Sequence, residues 1–132
     1  MGAGACGITH SKLSEDHYVE LQTEQMNDGT MKVNLLGRLD IVGANAIDLR
    51  FTSLTATRKA NVIVDLSGVD FLASMGVRLL LSNAKALASR GGKMVICKPD
   101  PMVRKVLETT GTDAIIPLYD DVDSAHHALK PP

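Results

Sequence analysis

The sequence predicts a single α/β domain that begins with an antiparallel hairpin and continues as alternating strands and helices. Three observations indicate this fold class. Strand-like alternation flanks the turn residues Asn27-Asp28-Gly29, which is typical of a hairpin. Helix-like spacing of apolar residues occurs twice, after residue 40 and after residue 74. A β-branched run over residues 62–64 lies between them, and strands that alternate with helices in this way are usually parallel.

Length, composition and charge limit the class of protein. The chain of 132 residues has the length of one domain. Hydrophobic residues make up 45% and aromatic residues 3%, so the core is expected to be aliphatic. The net charge is −1, from 14 basic and 15 acidic residues, with no block of either sign. A nucleic-acid-binding protein usually has a basic face with interleaved aromatic residues, so we expect no direct nucleic acid binding.

The sequence shows no targeting signal and few cysteines, and both features predict a cytoplasmic protein. No stretch approaches the roughly 18 apolar residues of a membrane span, so we expect no direct membrane insertion. The first residues lack the pattern of a signal peptide, and Cys6 stands where myristoylation requires Ser or Thr. Cys97 ends an apolar run and is expected to be buried. The two cysteines form neither a CxxC motif nor a cluster with histidine, so no metal site is predicted.

The N-terminal part predicts a tail and then the hairpin. Residues 1–16 are small and polar without periodicity, and we expect them to form a tail ahead of a domain that spans residues 17–130. Apolar or β-branched residues alternate with polar ones on both sides of the turn: Val19, Leu21 and Thr23 before it, and Met31, Val33 and Leu35 after it.

The middle of the chain predicts two helices around a central strand. One face of the first helix carries Ala44, Ile47, Phe51 and Leu54. Residues 61–66 form a strand buried on both faces, which Ser67-Gly68 is expected to end. The second helix follows Ser74, runs to about Ser89 and stops at Gly91-Gly92. Its apolar face carries Val77, Leu80, Ala84 and Leu87.

The remaining chain repeats this pattern. Residues 94–96 predict a strand, and Asp100-Pro101 predicts the start of a helix that ends at Gly111. That helix presents Met102, Val103, Val106 and Leu107 on one face. Residues 114–116 predict a last short strand, and Asp120 or Asp121 a final helix. The predicted core includes Ile47, Phe51, Val62, Val64, Leu80, Leu87 and Val106.

Ser74 is the strongest candidate for a functional residue. It stands just before a helical pattern, where a serine oxygen can accept a hydrogen bond as an N-cap. Its hydroxyl would also lie at the end of a strand, beside the positive end of a helix. A phosphate is electrostatically favoured at such a position.

Four motifs in order resemble the STAS family of anti-sigma factor antagonists and their sulfate-transporter relatives. The main one is Asp65-Leu66-Ser67-x-Val69-x-Phe71-Leu72-Ala73-Ser74-x-Gly76. Gly37-Arg38-Leu39-Asp40 precedes it, Gly91-Gly92-Lys93 follows it, and a helix opened by Pro101 and ended by Gly111 comes last. The resemblance covers roughly residues 17–130, and it implies strand–helix units wound around a small mixed sheet.

This resemblance implies a protein that acts by binding and is not an enzyme. The unphosphorylated form would capture an anti-sigma factor that is also a serine kinase, which releases the sigma factor. Phosphorylation of Ser74 would end the capture, and a serine phosphatase would reverse it. ATP would belong to the kinase, so the chain itself needs no cofactor and has no catalytic residue.

The resemblance also implies which residues surround Ser74 at the partner-binding surface: Asp40, Asp65, Ala73, Met75 and Gly76. Asp40 and Asp65 are expected to close their strands near the site, and Asp65 to orient the loop before Ser74. Gly76 either admits a partner's backbone or eases strand–helix packing. Two residues depart from the family pattern, because Ala73 replaces a common Asp and Met75 replaces a common Ser or Thr.

Other functions stay open at this point. The chain could be a STAS scaffold or accessory subunit of a stressosome-like or membrane-transporter assembly, or a small-ligand sensor. A hydrolase is the competing enzyme hypothesis, because Ser74, Asp113 or Asp120, and His126 occur in the chain order of a catalytic triad. Leu72 stands where the nucleophile motif of that fold requires glycine, which argues against it.

Overall fold

Strands and helices alternate along most of the chain. The structure, a computed structural model, describes the main chain of residues 7–14, 17–26, 28–55 and 61–129, and the side chains within these ranges from residue 20 onward. The strands are β1 (Gly7–Ser14), β2 (His17–Gln25), β3 (Met31–Leu39), β4 (Val62–Leu72), β5 (Met94–Cys97) and β6 (Leu118–Tyr119). The helices are α1 (Ile41–Thr55), α2 (Ser74–Ser89), α3 (Pro101–Thr109) and α4 (Val122–Leu129). None of these described helices is long and apolar enough to cross a membrane.

The strands form one mixed sheet in the order β1-β2-β3-β4-β5-β6. β2 is antiparallel to both β1 and β3, whereas β3, β4, β5 and β6 run parallel to one another. The parallel strands are connected by α1, α2 and α3 in turn. The predicted fold class is confirmed.

The hairpin between β2 and β3 closes as its sequence predicts. Gly29 has a φ of +90°, a conformation that glycine adopts without strain. The carboxylate of Asp28 accepts a 3.0 Å hydrogen bond from the amide of Thr30. Asn27, the first residue of the predicted turn, lies outside the described residues.

Helices cover both faces of the sheet. α1, α2 and α3 pack on one face, over the alternate residues of β4 that include Val62 and Val64. α4 packs on the other face, over Ile63, Val95 and Cys97. The predicted core residues Ile47, Phe51, Val62, Val64, Leu80 and Leu87 are at most 1% exposed. Val106 packs against this core but is only half-buried.

One strand was not predicted, and another extends further than predicted. Gly7–Ser14 forms β1 on the edge of the sheet, so this part of the expected tail is wrong. Its pairing with β2 uses main-chain groups, which a polar sequence supplies as well as an apolar one. β4 continues through Ser67-Gly68 to Leu72, because two register irregularities opposite β3 accommodate extra residues. The predicted break at Ser67-Gly68 is therefore wrong.

The chain after α3 also differs from the prediction. Gly111 ends that helix with a φ of +76°, as predicted, but residues 112–114 then form a 3-10 turn. The amides of Ile115 and Ile116 both bond the carbonyl of Thr112, so this segment coils and cannot pair as a strand. The last strand lies instead at Leu118–Tyr119, beside Ile96 and Cys97. Met102, predicted to be buried by α3, is 68% exposed.

Candidate functional site

The ends of β3 and β4 bring the starts of two helices together. Leu39 and Leu72 are partners at the carboxyl end of the two parallel strands. The amide of Ala73 donates a 2.9 Å hydrogen bond to the carbonyl oxygen of Leu39. Asp40, which follows Leu39, therefore lies beside the turn that leads into α2.

Ser74 is exposed at the first position of α2. The prediction that it caps this helix is wrong. Ala73 is the N-cap residue, because the amide of Val77 already bonds its carbonyl oxygen at 3.1 Å. In the part of the chain that the structure describes, the Ser74 side chain has no hydrogen-bond partner. Its hydroxyl is therefore available for modification.

The start of α2 favours a negative charge. Ala73 has no side-chain oxygen, and within the ranges that the structure describes no side chain caps the first-turn amides. The first turn also has no acidic residue. Uncapped amides and the helix dipole together attract anions. A phosphate on Ser74 would lie next to these groups.

Asp40 is near the site, as predicted, and it caps α1. Its carboxylate accepts a 2.8 Å hydrogen bond from the amide of Gly43, and its other oxygen lies 3.7 Å from Nε of Arg38. The guanidinium of Arg38 in turn lies over the ring of Phe71, 4.3 Å from its centroid. These contacts, from Asp40 through Arg38 to Phe71, connect the end of β3 with the end of β4.

Apolar side chains are exposed at the same edge. Ile41 is 61% exposed, Val42 41% and Phe71 38%. Ile41 and Val42 were not among the predicted site residues, although they fall outside the apolar face of α1 formed by Ala44, Ile47 and Phe51. A large apolar residue outside the buried face of a helix is the sequence signal that could have identified them as surface-binding residues. Ile41 and Val42 open α1, and half-buried Met75 follows Ser74 in α2, so these apolar side chains lie at the helix starts on the same edge of the sheet as Ser74.

Asp65 does not lie near Ser74, so its predicted place at the site is wrong. β4 continues from Asp65 to Leu72, which separates them by roughly 23 Å of extended chain. The Asp65 side chain is 7% exposed on the sheet face opposite α2, where it bonds the amide of Ser67 at 2.9 Å and lies 3.7 Å from Nζ of Lys32. Its neighbour Cys97 is buried, as predicted, and burial raises the pKa of that thiol to about 11.

Gly76 is buried beneath the site, and its expected place at the partner surface is wrong. A Cβ atom there would lie 2.6 Å from Cδ1 of Leu72 and 3.0 Å from the carbonyl oxygen of Leu39. The alternative explanation, close packing of helix against strand, is correct. Ala73 and Met75 are half-buried.

The residues of the hypothetical hydrolase triad are not assembled. Nε2 of His126 lies 2.7 Å from a carboxylate oxygen of Asp28, which joins α4 to the β2–β3 turn. Asp120 pairs with Arg104 at 2.8 Å. Neither histidine of α4 belongs to a group of three or more metal-binding side chains among the described residues.

Comparisons with known proteins agree on one family. Residues 21–125 match the STAS domain. The anti-sigma F factor antagonist of Paenibacillus polymyxa is 27% identical over 85% of this chain and 97% of its own. BtrV of Bordetella bronchiseptica, a candidate anti-sigma factor antagonist, is 29% identical over 78% of this chain and 89% of its own.

Solved structures show the same fold. An anti-sigma factor antagonist from Mycobacterium paratuberculosis superposes with a TM-score of 0.78 at 28% identity, over 89% of this chain and 98% of that one. The antagonist SpoIIAA has been solved unphosphorylated, with a TM-score of 0.68 at 23% identity over 82% of this chain and 94% of that one. The structure of phosphorylated SpoIIAA superposes with a TM-score of 0.58 at 17% identity, over 94% of this chain and 100% of that one. At these lower identities the likeness to SpoIIAA is one of fold.

Proposed function

This chain belongs to the STAS domain family, and from that premise we propose that it is an anti-sigma factor antagonist switched by phosphorylation of Ser74. The antagonists from Paenibacillus polymyxa and Mycobacterium paratuberculosis, each matched over more than four fifths of both chains, support the class. The observation that carries the switch is the exposed, unbonded hydroxyl of Ser74 at the uncapped start of α2.

The unphosphorylated protein binds its partner through the apolar side chains at the helix starts on the same edge of the sheet as Ser74. Ile41, Val42 and Met75 supply apolar area, and Ala73 keeps the surface free of the carboxylate common at that position. The partner is an anti-sigma factor that is also a serine kinase. Met75 has a flexible side chain that adapts to the shape of a partner.

Phosphorylation weakens this complex without unfolding the protein. A phosphoserine adds about −1.5 to −2 charges, and the helix start stabilises them when they are solvated. Inside a packed apolar interface the same charge loses its water, and an unpaired charge there typically costs about 2–5 kcal/mol. The complex dissociates, and a serine phosphatase restores the binding form.

The protein itself supplies no catalysis in this scheme. The kinase binds ATP and transfers its phosphate, while this chain provides the acceptor hydroxyl. A regulator of sigma factors acts where transcription takes place, so we assign it to the cytoplasm.

Intact mass after incubation with purified anti-sigma factor kinases and ATP tests this function. We expect the mass of one phosphate on the wild type, none on Ser74→Ala, and one on Ser82→Ala. Ser82 is a matched control because it is an exposed serine about two turns further along α2. Phosphate on Ser74→Ala would contradict the assignment of the residue. Co-purification with a membrane complex or a small molecule, and with no kinase, would favour the transporter-accessory or sensor hypothesis instead.

A further inference from the structure

Arg78 lies one helical turn after Ser74 on α2. Residues four apart on a helix are neighbours on one face, with Cβ atoms about 5–6 Å apart. Helical side chains also lean toward the N-terminus of their helix. The side chain of Arg78 therefore leans toward the turn that carries Ser74.

The guanidinium of Arg78 is not committed to another contact. Arg78 is exposed, and within the described ranges it forms no ion pair, hydrogen bond or ring contact. Two other arginines are used differently, because Arg104 pairs with Asp120 and Arg38 lies between Phe71 and Asp40.

Arg78 also lines a groove of about 210 Å³ between α1 and α2, together with Ala44, Asp48, Thr52 and Met75. Asp48 is the carboxylate on the α1 side. One of its oxygens accepts a 3.2 Å hydrogen bond from the hydroxyl of Thr52, and among the described residues it forms no ion pair. Among the described residues that line the groove, Arg78 is thus a cation without a partner, and it lies one helical turn from Ser74.

The position of Arg78 and its lack of a partner point to a role that rests on the proposed phosphorylation of Ser74. We propose that Arg78 binds the phosphate of phosphorylated Ser74 in an i,i+4 ion pair that draws it over the adjacent end of the groove. An anion N-terminal to its cation is the favourable order on a helix. A guanidinium can bind two phosphate oxygens at once. Phosphorylation then removes a free cation and covers the groove beside Met75 in one step.

The pair can be measured without any kinase by introducing phosphoserine at position 74 during translation. The readout is the second pKa of the phosphate, followed by ³¹P NMR. We expect Arg78→Gln to raise this pKa by roughly 0.3 unit or more, as estimated from i,i+4 pair energies strengthened by the bidentate geometry. The difference should shrink at high salt, because the pair is exposed.

Matched variants separate this pair from the general field of the protein. Lys85→Gln removes one positive charge from the exposed side of the same helix, about 10 Å further along, and should leave the pKa unchanged. Arg78→Lys should keep part of the lowering of the phosphate pKa, because lysine supplies the positive charge without the bidentate geometry. The other charged groups near this edge, among them Asp40, Arg38, Asp48 and Asp70, are identical in all variants.

Equal phosphate pKa values in Arg78→Gln and Lys85→Gln would overturn the proposal. Thermal melts establish that both variants fold. A failure of every anti-sigma factor kinase to label Ser74 would contradict the proposed function alone, because the NMR experiment introduces the phosphate by a separate route.

Discussion

The amide of Ala73 donates a 2.9 Å hydrogen bond to the carbonyl oxygen of Leu39, and this bond joins the start of α2 to the end of β3. The two residues are far apart in the chain, yet the bond brings the turn that carries Ser74 next to the end of β3, where Asp40 precedes α1. Substitutions that move α2 away from β3 should therefore affect binding as well as stability.

Gly76→Ala should destabilise the protein by about 1–3 kcal/mol through overpacking. Alanine is the better helix former by about 1 kcal/mol, so the added methyl must outweigh that gain. It would lie 3.0 Å from the carbonyl oxygen of Leu39, a main-chain atom that cannot easily move. Urea denaturation measures the change, with exposed Ser82→Ala on the same helix as the control. A Gly76→Ala protein more stable than the wild type would refute the packing argument.

Ala73→Asp should stabilise the protein by about 0.5–2 kcal/mol. Ala73 is the N-cap residue, with a φ of −101° and a ψ of 175°, and its side chain makes no capping bond. An aspartate there can accept a hydrogen bond from a first-turn amide. Thermal and urea unfolding test this, and Ala73→Asn controls for charge because it caps while neutral. If neither variant is stabilised, the first-turn amides already have adequate partners.

Ser74→Asp should fold normally yet bind an anti-sigma factor partner more weakly by about one and a half to nearly four decades. The carboxylate is favourable at an exposed helix start but costs about 2–5 kcal/mol when desolvated at an interface, and each 1.4 kcal/mol is tenfold. Ser74→Ala should bind nearly as well as the wild type. Titration calorimetry and thermal melts separate binding from folding. Affinity lost only in proportion to folded protein would indicate a conformational switch.

Thr55→Val should destabilise the protein by about 1–3 kcal/mol. The buried hydroxyl of Thr55 lies 2.8 Å from Oδ1 of Asn83, which is itself 3% exposed. Valine leaves that oxygen buried without a donor. Thr52→Val, also on α1 but at its exposed hydrogen bond with Asp48, should change stability little. The double variant Thr55→Val with Asn83→Leu should recover most of the lost stability. If the two substitutions instead destabilise the protein additively, the hydrogen bond between Thr55 and Asn83 does not contribute as expected.

Asp28 should contribute to acid sensitivity. The hydrogen bond from the amide of Thr30, and then contact with His126, lowers its pKa from 3.8 to about 2. The folded state therefore binds this proton more weakly than the unfolded state does. The stabilisation is present above pH 3.8 and is lost as the pH falls through about 2. Asp28→Asn should lose less stability than the wild type over this range in urea titrations.

His126→Gln distinguishes the two causes of that shift. The Thr30 amide is the larger one, so this variant should keep most of the wild-type pH dependence. A pH dependence abolished by His126→Gln would instead assign the effect to the contact between α4 and the hairpin.

Local signals in the sequence were sufficient for the fold class and for the ends of α2 and α3. The apolar faces of α1 and α2, the Asp100-Pro101 start of α3, and the glycine stops at Gly91 and Gly111 all depend on residues within a few positions of one another. Periodicity and capping act over that range, so they can be predicted from one chain. The position of Ser74 at the start of a helix follows from the same signals.

Contacts between distant segments decided the composition of the site. Two register irregularities between β3 and β4 set which residues of β4 face the helices, and a one-residue shift turns each later side chain to the other face. The sequence alone determined an α/β domain with a serine at the start of α2. The tertiary structure decided that β4 continues past Asp65 and so places it far from Ser74, and that α2 packs against Leu39 and so buries Gly76. Both outcomes depend on contacts between residues far apart in the chain, which local sequence signals do not report.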